Sequence, residues 1–108
     1  MAISIDDFGK LEMKIGRVVS VEDIPAARKP MYKLTVDFGG MTKQCVGGIK
    51  EFYEKEQLNG RLVVAVVNLQ PKSVAGVVSE CMLLDAFDET SVSLLAPDKE
   101  VPEGTKVG

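Results

Sequence analysis

Short apolar segments in two different patterns constrain this sequence more than any other feature. In residues 31–38 every second residue is apolar, which is the pattern of a β-strand with one buried face. Residues 62–68 instead form an almost continuous valine-rich run, which predicts a strand covered on both faces. Gly39 and Gly40 predict a turn into a returning strand over residues 42–46. A chain built from such short strands must protect their edges, and closure into a barrel does so.

Three further segments bring the prediction to about five strands. Residues 15–22 predict the first strand, in which Gly16 marks a bend or a bulge. Residues 79–86 and 92–95 predict the last strands, and residues 47–57 predict a short helical stretch. One short helix between the third and fourth strands is the plan of an OB-fold barrel. We therefore predict an all-β fold, a five-stranded OB-fold barrel with N- and C-terminal extensions.

Two segments outside these strands also have clear patterns. Residues 71–76 combine proline, serine and glycine, which predicts a loop. Residues 3–14 predict a short amphipathic helix or an extended arm, and Ser4 or Asp6 is placed to cap such a helix. The first of these segments lies inside the predicted barrel, and the second precedes it.

The length and the cysteine content indicate a simple organisation. The 108 residues, 45% of them hydrophobic, are enough for one domain over residues 1–108 with a core of about 11–95. The longest apolar run, residues 62–67, is far too short to span a membrane, and the N-terminus does not have the pattern of a secretory signal. We therefore expect a cytoplasmic protein without a membrane partner. Cys45 and Cys81 lack a CxxC spacing, and we predict that they are reduced and packed as small apolar residues.

The absence of histidine argues against catalysis. Without it the chain has no Ser-His-Asp triad, no Cys-His pair and no histidine-ligated metal. The sequence also lacks a P-loop, a GxGxxG motif and a GxSxG motif. Glu51, Glu54 and Glu56 are better explained as a solvated helix face than as catalytic acids. We predict that the chain is not an enzyme, with no catalytic residues, no metal and no cofactor.

The charges are distributed unevenly along the chain. The net charge is −3, which by itself argues against non-specific binding of nucleic acid. Residues 28–72, however, hold eight basic residues against four acidic ones, and residues 85–108 hold six acidic against two basic. A basic centre with an acidic tail can form a local positive face on an acidic protein. The alternative is a mixed charged surface that only keeps the chain soluble.

Residues 11–84 resemble the tRNA-binding domain family in several segments that occur in the family's order. This family includes stand-alone tRNA-binding proteins, the C-terminal domains of methionyl-tRNA synthetases, related archaeal subunits and CsaA-type export chaperones. The matching segments are residues 14–19 (KIGRVV), 25–34 (PAARKPMYKL), 36–39 (VDFG), 46–49 (VGGI), 58–61 (LNGR), 66–71 (VVNLQP), 75–76 (AG) and 79–84 (SECMLL). The resemblance implies an OB-fold that binds tRNA by shape and charge.

Different segments resemble different branches of the family. Residues 27–34, residues 97–108 and the pair Ser79-Glu80 are similar to the CsaA branch, whereas residues 46–49 and 68–71 are similar to the tRNA binders. Two departures weaken the second similarity. Gln70 stands where tRNA binders usually have lysine, and Gly47 stands where they have serine, so one cation and one hydroxyl donor are missing.

The candidate binding residues follow from what RNA phosphates and 2′-hydroxyls require, namely cations on loops with small polar donors between them. The predicted RNA-binding residues are Arg28, Lys29, Lys33, Lys43, Lys50, Asn68, Lys72 and Ser79. Asn68 and Ser79 match family positions and could equally make structural hydrogen bonds. A chaperone would need apolar contacts instead, for which Met31 and Met41 are candidates, whereas Met82 is predicted to be buried in its strand.

The resemblance also implies partners. The first expectation is a tRNA-binding homodimer, and the alternatives are a CsaA-type chaperone for unfolded or pre-secretory polypeptides and a detached subunit of an aminoacyl-tRNA synthetase such as methionyl-tRNA synthetase. Family members dimerise through segments outside the barrel, which here are residues 1–11 and 95–108. The alternative for residues 95–108 is a tail that packs on its own barrel.

Overall fold

A computed structural model describes all 108 residues and contains ten strands and two one-turn helices. The elements in chain order are α1 (Ile5–Phe8), β1 (Met13–Asp23), β2 (Tyr32–Asp37), β3 (Thr42–Gly47), α2 (Lys55–Leu58), β4 (Leu62–Val66), β5 (Lys72–Val74), β6 (Val77–Ser79), β7 (Met82–Leu83), β8 (Asp85–Phe87), β9 (Val92–Leu94) and β10 (Lys106–Val107). Neither helix has the length and apolarity needed to cross a bilayer.

The long strand β1 organises the main sheet, whose strand order is β3-β2-β1-β4-β7. One edge of β1 pairs with β4 from Met13 to Arg17, and the other edge pairs with β2 from Arg17 to Asp23. The register with β2 shifts between Val18 and Ser20, so the bulge lies there and not at Gly16 as predicted. A bulge increases the local twist that a strand needs to curve around a barrel.

Gly16 has a different role from the predicted bend or bulge. It lies inside the regular ladder opposite Val63, and a Cβ atom there would come within 2.5 Å of Val36 Cγ1 and 2.6 Å of Phe38 Cε1. Glycine is therefore required because the side chains of Val36, in β2, and Phe38, just after it, pack directly against the backbone of β1.

The barrel closes where the stretch of residues 78–81 lies beside β3. The backbone nitrogen of Glu80 donates to the carbonyl oxygen of Gln44 at 2.8 Å, and the backbone nitrogen of Val46 donates to Ser79 Oγ at 3.0 Å. Beyond this stretch β7 pairs with β4, which completes a nearly closed barrel of five strands. The predicted all-β, OB-like barrel is confirmed, and α2 lies between the third and fourth strands of the main sheet as predicted.

The core lies inside the barrel and follows the two sequence patterns. The inward residues of β2 are buried and its outward residues are partly exposed, whereas all five residues of β4 are buried. Tyr32 belongs to this core and donates its hydroxyl to the carbonyl oxygen of Tyr53. Tyr53 in turn accepts a hydrogen bond on its own hydroxyl from the backbone nitrogen of Leu94.

Three local predictions are wrong. Residues 71–76 are not a plain loop, because β5 and β6 pair as a hairpin that turns at Ala75 and Gly76, both with positive φ. Of the helical stretch predicted over residues 47–57, only residues 55–57 lie in a helix, the single turn of α2. Met82 is 49% exposed and not buried, because β7 lies near the open edge of the sheet.

Cys45 and Cys81 are joined by a disulfide bond, which corrects the prediction of two reduced cysteines. The Cα atoms lie 5.1 Å apart, within the usual range for a disulfide. The two residues are 36 positions apart in sequence, and only barrel closure brings residue 81 beside β3. Both side chains are nonetheless buried in the core, as the prediction required.

The C-terminal tail packs on its own barrel. Strand β10 pairs with the first two residues of β1, beyond the point where β2 ends. Arg17 links the tail to the barrel, because its guanidinium donates to Glu103 Oε1 at 2.9 Å, to the carbonyl oxygen of Gly60 at 2.7 Å and to Glu100. Hydrogen bonds to Glu103 and then Glu100 raise the pKa of Arg17 above its ordinary value. The N-terminal segment differs, since α1, capped by Ser4 as predicted, buries none of its residues.

Candidate nucleic-acid interface

Two surface cavities adjoin each other along strand β5, and both are lined by Val74. The first has a volume of about 450 Å³ and lies between the β5–β6 turn and the loop that joins β1 to β2. The second has a volume of about 280 Å³ and lies between β5 and the closing stretch of residues 78–81. We call them together the β5 groove. Its lining residues are Ala26, Ala27, Arg28, Lys29, Met31, Val46, Leu69, Gln70, Lys72, Val74, Ala75, Ser79, Glu80, Cys81 and Met82.

Three of the predicted RNA-binding cations line the β5 groove. Arg28 and Lys29 lie in its first half, and Lys72 lies in its second half. All three are exposed, and no carboxylate lies within ion-pair distance of any of them. The β1–β2 loop is held in place at its start, because Ile24 is buried and its carbonyl oxygen accepts a hydrogen bond from Ala27. The groove therefore offers three free positive charges on one surface.

Lys33 lies beside the groove. It is paired across the sheet with Val46, a groove residue, so the two side chains lie on the same face of the β2–β3 hairpin. Its Nζ is 3.8 Å from Glu22 Oε2, which partly neutralises its charge. Lys33 can therefore extend the positive surface of the groove only weakly.

Lys50 is held by an acidic residue. Its Nζ lies 2.9 Å from Asp23 Oδ1, and Lys55 Nζ lies 3.0 Å from Asp23 Oδ2. The ammonium of Lys50 also lies 5.9 Å from the centre of the Tyr32 ring. Hydrogen bonds from Lys50 and then Lys55 lower the pKa of Asp23 below its ordinary value of 3.8, and the bond to Asp23 raises the pKa of Lys55. The charge of Lys50 is thus already balanced inside the molecule.

Lys43 and Met41 lie at the other end of the β2–β3 hairpin. Lys43 is paired with Val36, a core residue, so it starts from the opposite face of the hairpin to Lys33. Met31 lines the groove at one end of β2, and Met41 follows the turn at the other end, roughly 20 Å away at 3.3 Å per residue. The structure therefore does not bring Met31 and Met41 together in one apolar surface.

Asn68 and Ser79 make structural hydrogen bonds. Asn68 Oδ1 accepts from the backbone nitrogen of Glu12 at 2.9 Å, and its Nδ2 donates to the carbonyl oxygen of Lys10 at 2.8 Å. These bonds fix the start of β1, and Asn68 does not line the groove. Ser79 does line it, but its hydroxyl accepts from Val46 and donates to the carbonyl oxygen of Cys81.

Sequence reasoning missed the apolar floor of the groove and one acid in it. The half-buried Val46 and Val74 form the floor, and Leu69, Gln70 and Glu80 line the second half, with Leu69 exposed. Glu80 Oε1 accepts a hydrogen bond from the backbone nitrogen of Gln44, so this acid serves barrel closure. The signal for Leu69 and Gln70 was the segment of residues 68–71, in which Leu69 and Gln70 follow Asn68 directly after β4.

A third cavity of about 410 Å³ lies on the other side of Met82. It is mainly apolar, and its lining residues are Val46, Gly47, Gly48, Ile49, Met82, Leu83, Leu84, Asp85 and Phe87. Phe87 is 76% exposed and Met82 is 49% exposed, so two large apolar side chains stand at its rim. We call this cavity the β8 cavity.

Comparison with solved structures finds the same fold over the whole chain. The CsaA chaperone protein from Picrophilus torridus is 35% identical, with a TM-score of 0.92 over 99% of this chain and 100% of that one. The MetRS related protein from Pyrococcus horikoshii is 38% identical, with a TM-score of 0.91 over 100% of this chain and 99% of that one. The same fold is thus found in a protein described as a chaperone and in one described as related to MetRS.

Comparison of sequences gives the family. A methionine–tRNA ligase of Methanococcus maripaludis strain C5 is 43% identical over 105 residues, which are 97% of this chain and 16% of the ligase. The chain spans less than a fifth of the length of the methionine–tRNA ligases that it matches. Residues 13–106 match the family described as "Putative tRNA binding domain". Nearly the whole of the barrel is included in that match, and the chain belongs to the tRNA-binding domain family.

Proposed function

We propose that this chain binds tRNA in the β5 groove. The observation that carries the proposal is the position of Arg28, Lys29 and Lys72, three exposed cations without carboxylate partners that line adjoining cavities. Cations on loops can follow the irregular path of a folded RNA backbone, because their long side chains adjust to the phosphates. Membership of the family supports the same function.

The groove binds RNA by charge and shape. Its cations contact phosphates, and its apolar floor at Val46 and Val74 accepts the flat side of a sugar or an exposed base. Gln70 supplies an amide where a lysine would supply charge, so the affinity depends on few ionic contacts. The net charge of −3 further restricts binding to this local positive surface.

We further propose that the chain binds without catalysing a reaction. The chain matches only 13 to 16% of the length of the ligases that it resembles, which are therefore about six to eight times longer. Their activity is therefore not transferred to this chain. As an alternative, we propose that the chain acts as a detached subunit that brings tRNA to methionyl-tRNA synthetase. Co-purification with the synthetase from a lysate would support that role. Purification of the chain without the synthetase in the same experiment would contradict it.

A second candidate function is binding of unfolded or pre-secretory polypeptide. The observation in its favour is the β8 cavity, where Met82 and Phe87 expose apolar surface that an extended peptide could cover. The full-length structural match to a CsaA chaperone protein supports this candidate. Met31 remains available to a peptide in the β5 groove, but Met41 lies too far away to contribute to the same site.

We also propose a cytoplasmic homodimer. The N-terminal segment of residues 1–11 supports dimerisation, because Ile3 and Ile5 are 63% and 80% exposed and α1 buries nothing in the single chain. In residues 95–108, only the part from Glu100 onward contacts β1 of its own chain, so that part offers a dimer only its outer surface. Light scattering of the purified protein distinguishes a dimer from a monomer.

Fluorescence anisotropy of labelled bulk tRNA tests the main proposal. We expect saturable binding that weakens steeply as salt is raised, because each phosphate contact releases counterions. A denatured protein added as competitor should leave the tRNA bound. Displacement by that competitor would favour the polypeptide-binding function, and no binding at low salt would contradict tRNA binding.

A further inference from the structure

We propose that the Cys45–Cys81 disulfide is a redox latch that sets the affinity of the β5 groove for RNA. This inference rests on the proposed function, because it concerns control of the same groove. The disulfide joins β3 to the stretch of residues 78–81, which is where the barrel closes. The oxidised latch keeps the groove in its binding shape, and reduction loosens it.

The closure is weakly bonded apart from the disulfide. β3 and residues 78–81 do not pair as a regular ladder. One hydrogen bond joins their backbones, from Glu80 to Gln44, and three others involve side chains. These three run from Gln44 nitrogen to Glu80 Oε1, from Gln44 Nε2 to the carbonyl oxygen of Val78 and from Val46 nitrogen to Ser79 Oγ. The disulfide adds a covalent bond to these four hydrogen bonds, and it is the one link between the two segments that a reductant can break.

The latch is directly connected to the groove. Cys81 is itself a lining residue of the second half, and Cys45 precedes Val46 in the groove floor. Ser79 donates its hydroxyl to the carbonyl oxygen of Cys81 and is paired across the β5–β6 hairpin with Lys72. Movement of Cys81 away from β3 would therefore displace Lys72 relative to the rest of the groove. A preformed groove binds more tightly because less ordering is needed on binding.

The chemistry of the latch is ordinary thiol–disulfide exchange. The Cys45 and Cys81 thiols lose two protons and two electrons as the sulfur–sulfur bond forms, and a small-molecule disulfide such as oxidised glutathione takes them up and leaves as two thiols. A dithiol reductant reverses the step and is itself oxidised to a disulfide. Cys45 is 0% and Cys81 5% exposed, so exchange needs transient opening of the closure and should be slow.

The test compares the same protein in two redox states. Protein incubated with oxidised glutathione and protein incubated with dithiothreitol are alkylated under denaturing conditions and weighed by mass spectrometry. We expect no label on the first and two labels on the second. Reduction should lower the melting temperature by roughly 10 to 20 °C, since a bond that closes a loop of this length constrains the unfolded chain. Two labels on the oxidised sample would overturn the latch.

Binding of labelled tRNA is then measured in both states, below the melting temperature of the reduced protein. We expect the reduced protein to bind about three- to tenfold more weakly, because its groove is less ordered. The variant Cys81→Ala should bind like the reduced protein and should not respond to dithiothreitol. Equal affinity in the two states, within about twofold, would overturn the latch while leaving tRNA binding intact. Absence of binding in both states would overturn the proposed function, and the proposed redox control of affinity would fail with it.

Discussion

The ammonium of Lys50 lies 2.9 Å from Asp23 Oδ1, and this ion pair keeps a cation of the basic central segment from acting freely. Asp23 stands at the end of β1, directly before the loop that carries Arg28 and Lys29. It also binds Lys55, so one carboxylate holds two ammonium groups. Asp23 therefore reduces the positive potential near the β5 groove, and its removal should change the affinity of the groove for RNA.

Replacement of this acid should strengthen RNA binding. Asp23→Asn frees Lys50 and Lys55 and removes one negative charge, so we expect tRNA affinity at low salt to rise about two- to threefold, the size of an exposed ion-pair effect. Anisotropy titration measures the change. Asp98→Asn, in the C-terminal tail and without a hydrogen-bonding or ionic partner, is the matched control for net charge. An equal gain in both variants would show that only net charge matters.

Substitution of Gly16 tests the packing of β2 on β1. A Cβ atom at this position would overlap Val36 and Phe38, so we expect Gly16→Ala to lower the free energy of unfolding by about 1–3 kcal/mol. Urea unfolding provides the value. Gly48→Ala is the control, because a Cβ atom there meets nothing within 4 Å and φ is not positive. A loss of equal size in both variants would contradict the packing argument.

The turn between β8 and β9 should make the stability of the fold depend on pH. Asp88 Oδ1 accepts hydrogen bonds from the backbone nitrogens of Thr90 and Ser91 at 2.8 and 2.9 Å. These bonds, with those from the Thr90 and Ser91 hydroxyls, lower the pKa of Asp88 below its ordinary value of 3.8. Their stabilisation is therefore complete above the unfolded-state pKa and is lost as the pH falls through the lower folded-state value.

Melting temperatures measured between about pH 5 and pH 2 test this dependence. The wild-type protein should lose more stability over that range than Asp88→Asn, because the variant has no carboxylate to protonate. Asp98→Asn should behave like the wild type. Parallel curves for the wild type and Asp88→Asn would mean that the turn does not depend on the charge of Asp88.

The barrel could be predicted because the local sequence pattern of each core strand shows which of its residues are buried. Alternation from Tyr32 to Phe38 and the valine-rich run of β4 depend only on which face each residue presents to the core. The β5–β6 hairpin was missed because its turn places Ala75, a residue that rarely adopts positive φ, before Gly76. Local patterns thus identified the strands that fill the core and missed those that lie outside it.

The candidate site was harder to predict because it depends on contacts between distant segments. Arg28, Lys29 and Lys72 meet at one groove, but nothing in their spacing distinguishes them from Lys50, which is held by Asp23. The faces of Lys33 and Lys43 depend on the register across the β2–β3 turn, which fixes one on each side of the hairpin. The disulfide could not be predicted for the same reason, because Cys45 and Cys81 come together only when the barrel closes.

Salt-dependent tRNA binding by charge-reversal variants tests the central claim most directly. Lys29→Glu and Lys72→Glu, in opposite halves of the β5 groove, should each lower affinity roughly tenfold and reduce the slope of log affinity against log salt by about 0.9 per lost contact. Lys99→Glu, an exposed cation in the C-terminal tail, makes the same change of net charge outside the groove and should have a much smaller effect. Unchanged affinity and slope for both groove variants would contradict the proposed site.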